Sequence, residues 1–354
     1  MKKKIYQYSI LIVILLGFTS TAKGQFRETK EFKKAIKVST AGRLAVSNRH
    51  GNINIISSLS DSLIVKATIS GQSKSLGKLN ESMNKTNIDF RQNGSSVVIS
   101  TMFSETSFSR GIKDIASAVG VDNEINVSYE IRVPKSLRLR IDSKYGDIYI
   151  DQHDGRVGIE LSHGNLRANS LGEVEYLRTN FGDVYINSVE SLEGSLLFSQ
   201  IEIEKATKID IVSKSTGFEI ESVEALQMSS SNDKIDIDEV GHFGFTGSLS
   251  KVNIDELTKS SNISLKYGKV KIKKIHKDVC SFMATATRCT LELGLDKEGN
   301  KNITGMIGEG EIQNLNPLLK IKSKYLNLSA VMGNIDKANC TYQLSCQKTK
   351  LYFK

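Results

Sequence analysis

Tyr149, Arg167 and Tyr185 stand 18 residues apart, each in the same short phrase: "DIYI", "NLRA" and "DVYI". Aromatic rings flanking a guanidinium can bind sugar rings, and they can equally pair with one another as a cross-strand ladder. The ladder is the simpler reading, and these three residues are the best sugar-contact candidates in the chain. A second series recurs every 17 residues, with Glu202, Glu219 and Asp236 in one row and Glu204, Glu221, Asp238 and Asp255 in the next. If the copies stack as strands, like charges lie about 4.8 Å apart. Calcium takes six to eight oxygens, and neighbouring carboxylates from Glu202, Glu204, Glu219, Glu221, Asp236 and Asp238 could supply several. The simpler reading is a solvated acidic face, its repulsion relieved by salt and by Lys205, Lys208 and Lys234. The next copy switches sign, to Lys269, Lys271, Lys273 and Lys274.

Catalytic signatures are scarce. Gly-x-Ser-x-Gly, His-Glu-x-x-His and phosphate-loop patterns do not occur in the sequence. The histidines are His50, His153, His163, His242 and His276. His50 and His163 precede a corner glycine, the position that Tyr145, Phe181 and Tyr267 hold elsewhere, so a stacked aromatic ladder is expected. Cys280, Cys289, Cys340 and Cys346 lie in the last quarter with no C-x-x-C and no nearby histidine pair, which argues against zinc. Cys289 and Cys340 are separated by three 17-residue periods, which would place them about 14 Å apart, beyond bridging distance. At most one disulfide is expected.

The elements that position these residues follow from a repeat. The first apolar residues after each corner are Ile148, Leu166, Val184, Ile201, Phe218, Ile235, Val252 and Val270. Two residues on, a second column runs Ile150, Ala168, Ile186, Ile203, Ile220, Ile237, Ile254, Ile272. Three further on, a third runs His153, Leu171, Val189, Ala206, Val223, Val240, Leu257, Ile275. Only His153 breaks the apolar rule. Residues between the first two columns point outward by strand alternation. The period, the alternation and the β-branched content predict an all-β, single-stack parallel β-solenoid with 17–18-residue coils. An antiparallel sandwich of repeated hairpins explains the spacing less well, because paired hairpin turn signals are missing. Gly146, Gly164, Gly182 and Gly268 mark the corner, where positive φ or a bulge is expected. Ser199, Thr216, Asp233 and Ser250 replace them in the middle coils.

Residues 1–24 read as a signal peptide, with a basic start at Lys2–Lys4, an apolar core "ILIVILLGF" and small Ala22 and Gly24 before Gln25. That apolar run is about half the ~20 residues a span requires, so an uncleaved anchor is the weaker reading. Removing four lysines and no acid lowers the net charge from +9 to +5. This is not the charge of a nucleic-acid binder. No later stretch is apolar enough to span a bilayer. Residues 25–135 are expected to form an N-terminal β region with a helical or loop insertion capping the stack. Residues 136–294 carry the solenoid repeats, and 295–354 form an atypical C-terminal β cap.

The order "LAVSNRHGNINI", then "YEIRVPKSLRLRIDSKYGDIYI", then Gly-[Asn/Asp]-aliphatic corners resembles the putative-adhesin family of exported bacterial domains of largely undetermined function. The resemblance covers most of residues 40–290. It implies a surface or periplasmic β-solenoid without catalysis, and it offers no catalytic residues to carry over. The expectation is therefore an exported binding or scaffold module of the cell envelope or surface, without catalytic residues or a cofactor. Its partner would be a cell-surface glycan or an envelope protein, not nucleic acid. The alternative is a polysaccharide lyase or hydrolase on a β-helix fold.

Overall fold

A computed structural model describes residues 25–39, 41–103, 123–323, 326–334 and 340–354. Residues 1–24, read above as a signal peptide, and residues 104–122, within the N-terminal region where an insertion is expected, lie outside the described residues. The chain is all-β with one described helix. In order the early elements are β1 (Phe26–Lys37), β2 (Arg43–Arg49), β3 (Ile53–Ser58), β4 (Ser62–Ser73), α1 (Leu76–Lys85), β5 (Thr86–Asn93), β6 (Ser96–Phe103) and β7 (Asn123–Pro134). The middle elements are β8 (Arg138–Lys144), β9 (Ile148–His153), β10 (Val157–Ser162), β11 (Leu166–Asn180), β12 (Asp183–Leu197), β13 (Gln200–Lys214), β14 (Gly217–Ser231), β15 (Lys234–Ser248) and β16 (Lys251–Lys266). Then come β17 (Lys269–Ile275), β18 (Ser281–Thr287), β19 (Thr290–Leu295), β20 (Lys301–Gly308), β21 (Glu311–Asn314), β22 (Leu319–Ser323), β23 (Leu326–Met332), β24 (Cys340–Gln347) and β25 (Lys350–Phe353).

Two compact units divide the described residues. One lies within Met1–Lys30, Ile69–Thr86 and Phe103–Asn126, the other within Glu31–Thr68, Asn87–Met102 and Val127–Lys354. In the first, α1 starts at Ser75, whose hydroxyl accepts from the Lys78 amide, and buries Leu79 and Met83. Gly71 makes room for that face, since a Cβ there would sit 2.7 Å from Leu79 Cδ1 and 2.8 Å from Met83 Sδ.

The second unit carries the repeat. Leu166 pairs with Val184, Val184 with Ile201, Ile201 with Phe218 and Phe218 with Ile235, all in parallel. The pairing is that of a β-solenoid, and the parallel registers exclude the antiparallel sandwich for this stretch. All twenty-four column residues are buried. The change between steps of 18 and 17 has a local cause: β11 shifts register between Val174 and Leu177, and the β15–β16 pairing shifts between Val240 and His242. Each bulge absorbs one extra residue without disturbing the columns.

His153, the polar exception, is fully buried and doubly bonded. Its Nε2 lies 2.7 Å from the Leu137 carbonyl and its Nδ1 3.1 Å from Ser57 Oγ. A carbonyl only accepts, so Nε2 carries the proton and Nδ1 accepts from the serine.

The corner corrects the sequence reading. Positive φ falls on the residue before the glycine: Tyr145 (59°), His163 (55°), Phe181 (57°) and Tyr267 (56°), with Phe198, Ser215, Asn232 and Leu249 alike in the coils without glycine. The glycines serve close approach instead. A Cβ at Gly146 would lie 2.1 Å from Gly51 O, one at Gly164 2.3 Å from Gly146 O, and one at Gly182 1.9 Å from Gly164 O. The polar residue after each glycine forms a second ladder. Asn52 Oδ1 accepts from the Asp147 amide, Asp147 Oδ1 from the Asn165 amide, and Asn165 Oδ1 from the Asp183 amide. Where glycine is absent, the buried Asp233 carboxylate takes over, accepting from Ser213 Oγ, Ser230 Oγ and the Thr216 amide at 2.6–2.8 Å. Buried backbone and carboxylate groups are thereby satisfied.

Spatial order departs from chain order at both ends. β2 pairs with β6 on one side and β8 on the other, and β3 with β7 and β9. At the far end β24 pairs with β18 and β20, and β25 with β19 and β21. The last two strands therefore intercalate between strands made earlier, and Cys340 lies beside Cys280, to which it is disulfide-bonded. Cys289 and Cys346 are buried thiols. One disulfide is formed among the described residues, within the limit of one that was expected, and the excursion through β20–β23 explains why counting periods to Cys340 fails.

Candidate ligand-binding face

The candidate face is built on β9, β11 and β12, with β3 and β13 on its flanks. Register pairs Asn54 with Tyr149, Tyr149 with Arg167, Arg167 with Tyr185 and Tyr185 with Glu202. Each lies between two buried column residues, such as Ile148 and Ile150 around Tyr149, so the alternation of the strand fixes the side chain outward. The sheet brings the three sequence candidates together as one row. The Arg167 guanidinium carbon sits 5.3 Å from the Tyr185 ring centroid, within cation–π range. The Tyr149 hydroxyl donates to Asp147 Oδ2 at 3.2 Å. Partial burial, then the Asp147 carboxylate, raises the Tyr149 pKa, so the phenol stays protonated and able to donate.

One row further along the strands, Asn187 Nδ2 donates to Asn169 Oδ1 at 3.1 Å. Tyr149, Arg167, Tyr185 and these amides line an open depression of about 640 Å³, together with Asp151 and Glu202. Rings, amides and one guanidinium on a broad open floor suit a ligand lying along the surface.

The acidic rows also form, since Glu202 pairs with Glu219 and Glu219 with Asp236. Burial opposes ionisation of Asp236, yet Lys234 at 2.7 Å and the Asn253 amide hold its carboxyl below the usual value. Asp255 is paired to Lys273 at 2.6 Å. Among the described residues, no three His, Cys, Asp or Glu side chains converge to hold a metal ion. Glu204, Glu221 and Asp238 are exposed along the same face.

The histidines do not gather either. His50, Tyr145, His163, Phe181 and Phe198 stack ring on ring at centroid spacings of 5.1–5.2 Å, which is the ladder expected at this position. Phe198 was not anticipated, because no glycine follows it; its positive φ is the shared feature. Tyr267 sits apart from these rings, donating its ring to Arg288, whose Nη1 also bonds the phenol oxygen at 3.0 Å. His242 Nδ1 is 2.8 Å from Ser260 Oγ, but the neighbouring Glu224 is taken by Lys259. Sequence reasoning missed the amides Asn54, Asn169 and Asn187, though 169 and 187 repeat at the same interval of 18.

No protein-family model matches the chain, and no curated protein matches it. Solved structures to which it is similar include a "putative adhesin" from Bacteroides fragilis, at 13% identity over 75% of this chain and 97% of that one, TM-score 0.33. Another is a "putative cell adhesion protein" from Clostridium sporogenes, at 11% identity over 92% and 99%, TM-score 0.19. A third is a "putative lipid binding protein" from Parabacteroides distasonis, at 10% identity over 75% and 96%, TM-score 0.35. Among the described residues no helix is long and apolar enough to cross a membrane.

Proposed function

We propose that the chain is an exported, non-catalytic binding module of the cell envelope or surface, with a glycan as its ligand. In this reading residues 1–24 direct export, the 17–18-residue coils of 136–294 form a rigid stack, and residues 25–135 and 295–354 cap it. The observation that carries the reading is the registered Tyr149–Arg167–Tyr185 row, exposed on an open sheet face with its backbone fixed by parallel pairing on both sides. A floor whose backbone is already paired presents rings and donors with no backbone ordering cost on binding.

The test is a glycan array run beside a reducing-sugar assay, using the protein with residues 1–24 removed. Retention of one glycan class without release of reducing ends, weakened by Tyr149→Ala and Tyr185→Ala, is the expected result. Turnover that one Asp or Glu substitution abolishes would establish the polysaccharide-cleaving alternative instead. Binding of an envelope protein with no glycan retained would redirect the module to a protein partner.

A further inference from the structure

Four arginines near the candidate face are ion-paired to glutamates. Arg138 pairs with Glu175 at 2.6 Å, Arg156 with Glu173 at 2.9 Å, and Arg140 and Arg178 share Glu160 at 3.3 and 3.0 Å. Arg167 differs. Among the described residues it forms no ion pair, although Asp151 and Glu202 line the same depression. Its one described side-chain contact is the Tyr185 ring, 5.3 Å from the guanidinium carbon, and no described hydrogen bond uses its N–H donors. A guanidinium presents those donors as a planar fork that matches a carboxylate.

We propose that Arg167 makes this face selective for glycans that carry isolated carboxylates, of the uronic or sialic acid type. The inference rests on the glycan-binding reading above and names the class of sugar. Tyr149 and Tyr185, one strand to either side, are the platforms for the sugar ring, and Arg167 between them takes its carboxylate. The Asn169 and Asn187 amides lie two residues along the same strands, within the same depression, where ring hydroxyls of the next sugar would fall. Asp151 and Glu202 in the depression, and the row that continues from Glu202 to Asp236, repel a densely charged polyanion. The site therefore selects one carboxylate among neutral sugars rather than a run of sulfates.

The experiment titrates a panel of monosialylated and monoglucuronylated oligosaccharides, their carboxyl-reduced counterparts and a heparin fragment. The proteins are the wild type, Arg167→Ala and Arg167→Lys, each checked by thermal melting; the exposed position should leave folding intact. Reduction of the carboxyl group should weaken binding to the wild type roughly tenfold or more, as expected for a charge-assisted bidentate pair. Arg167→Ala should bind acidic and reduced forms alike. Arg167→Lys should keep part of the preference, because the charge remains and the fork does not. Equal binding of acidic and reduced forms by the wild type would overturn the carboxylate assignment and leave the glycan-binding reading standing. Tighter binding of heparin than of monocarboxylates would also overturn it. Failure of every glycan on both the panel and the array would overturn both.

Discussion

Replacing Gly164 with alanine adds one carbon where the coils come closest. That Cβ would stand 2.3 Å from Gly146 O, against roughly 3.3 Å for an ordinary tight contact, so the two corners must part by about 1 Å. Two hydrogen bonds cross the same gap, Ile148 N to Asn165 O and Asn165 N to Asp147 Oδ1, each 2.8 Å long. Lengthening both by that amount takes them out of hydrogen-bonding range. A neutral pair is worth about 1 kcal/mol net and one to a carboxylate about 1.5–3 kcal/mol, so the expected loss is roughly 2–4 kcal/mol. That agrees with the usual cost of overpacking, about 1–3 kcal/mol. Because a solenoid coil contacts only its neighbours, the loss should be local. Amide hydrogen exchange should accelerate at Ile148 and Asn165 by roughly 30-fold or more, with little change beyond residue 230. Gly94→Ala is the control: Gly94 has φ +56° and nothing within 4 Å, so only backbone strain is added, about 1–2 kcal/mol. Gly164→Ala with unchanged protection would refute the close-approach account of the corner.

Ile203→Asp should unfold the neighbouring coils, because an unpaired carboxylate replaces a side chain paired with Ile186 and Ile220, while Glu204→Gln should melt like the wild type. Similar melting of the two variants would invert the assigned faces. Burial lowers the His153 pKa below 6.5, the Leu137 carbonyl only partly offsetting it, so the folded state binds this proton less readily than the unfolded chain. Its contribution to stability is then complete above pH 6.5 and is lost as pH falls below that value toward the lowered one; His153→Gln should flatten this part of the melting profile. Burial pushes the Cys346 thiol up to about 12 and raises that of Cys289, so neither should react with maleimide in the folded protein at pH 7.5, and peptide mapping should find only Cys280–Cys340 bridged. The acidic face should be stabilised by NaCl and be indifferent to about 5 mM Ca²⁺ at fixed ionic strength; a specific calcium shift in melting temperature would establish the metal site instead.

Alternation and period made the stacked columns legible, because a one-residue slip would have sent every aliphatic residue to the surface. The Tyr149–Arg167–Tyr185 row followed from the same count. The corner did not follow. A glycine needed for φ and a glycine needed for close approach are written alike, and only coordinates show that Tyr145 and His163 take the left-handed conformation. His153 read as a flaw because its partners, Ser57 and Leu137, are 96 and 16 residues away. The ends were illegible for another reason: once β24 and β25 slip between strands made earlier, distance along the chain no longer measures distance through the stack. The Asn52–Asp147–Asn165–Asp183 ladder was visible as a motif, but its purpose, accepting the amide of the next coil, was not.

The central claim is that the outward row of β9, β11 and β12 receives the ligand, and hydrogen exchange with and without a saturating array-selected glycan tests it most directly. Exposed sheet residues exchange through local openings that a ligand bridging neighbouring strands suppresses. Added protection confined to peptides covering 148–153, 166–171 and 184–189, and absent in the Tyr149→Ala, Tyr185→Ala double variant, is the result the account predicts. Protection centred on another face, or surviving in that variant, would contradict it.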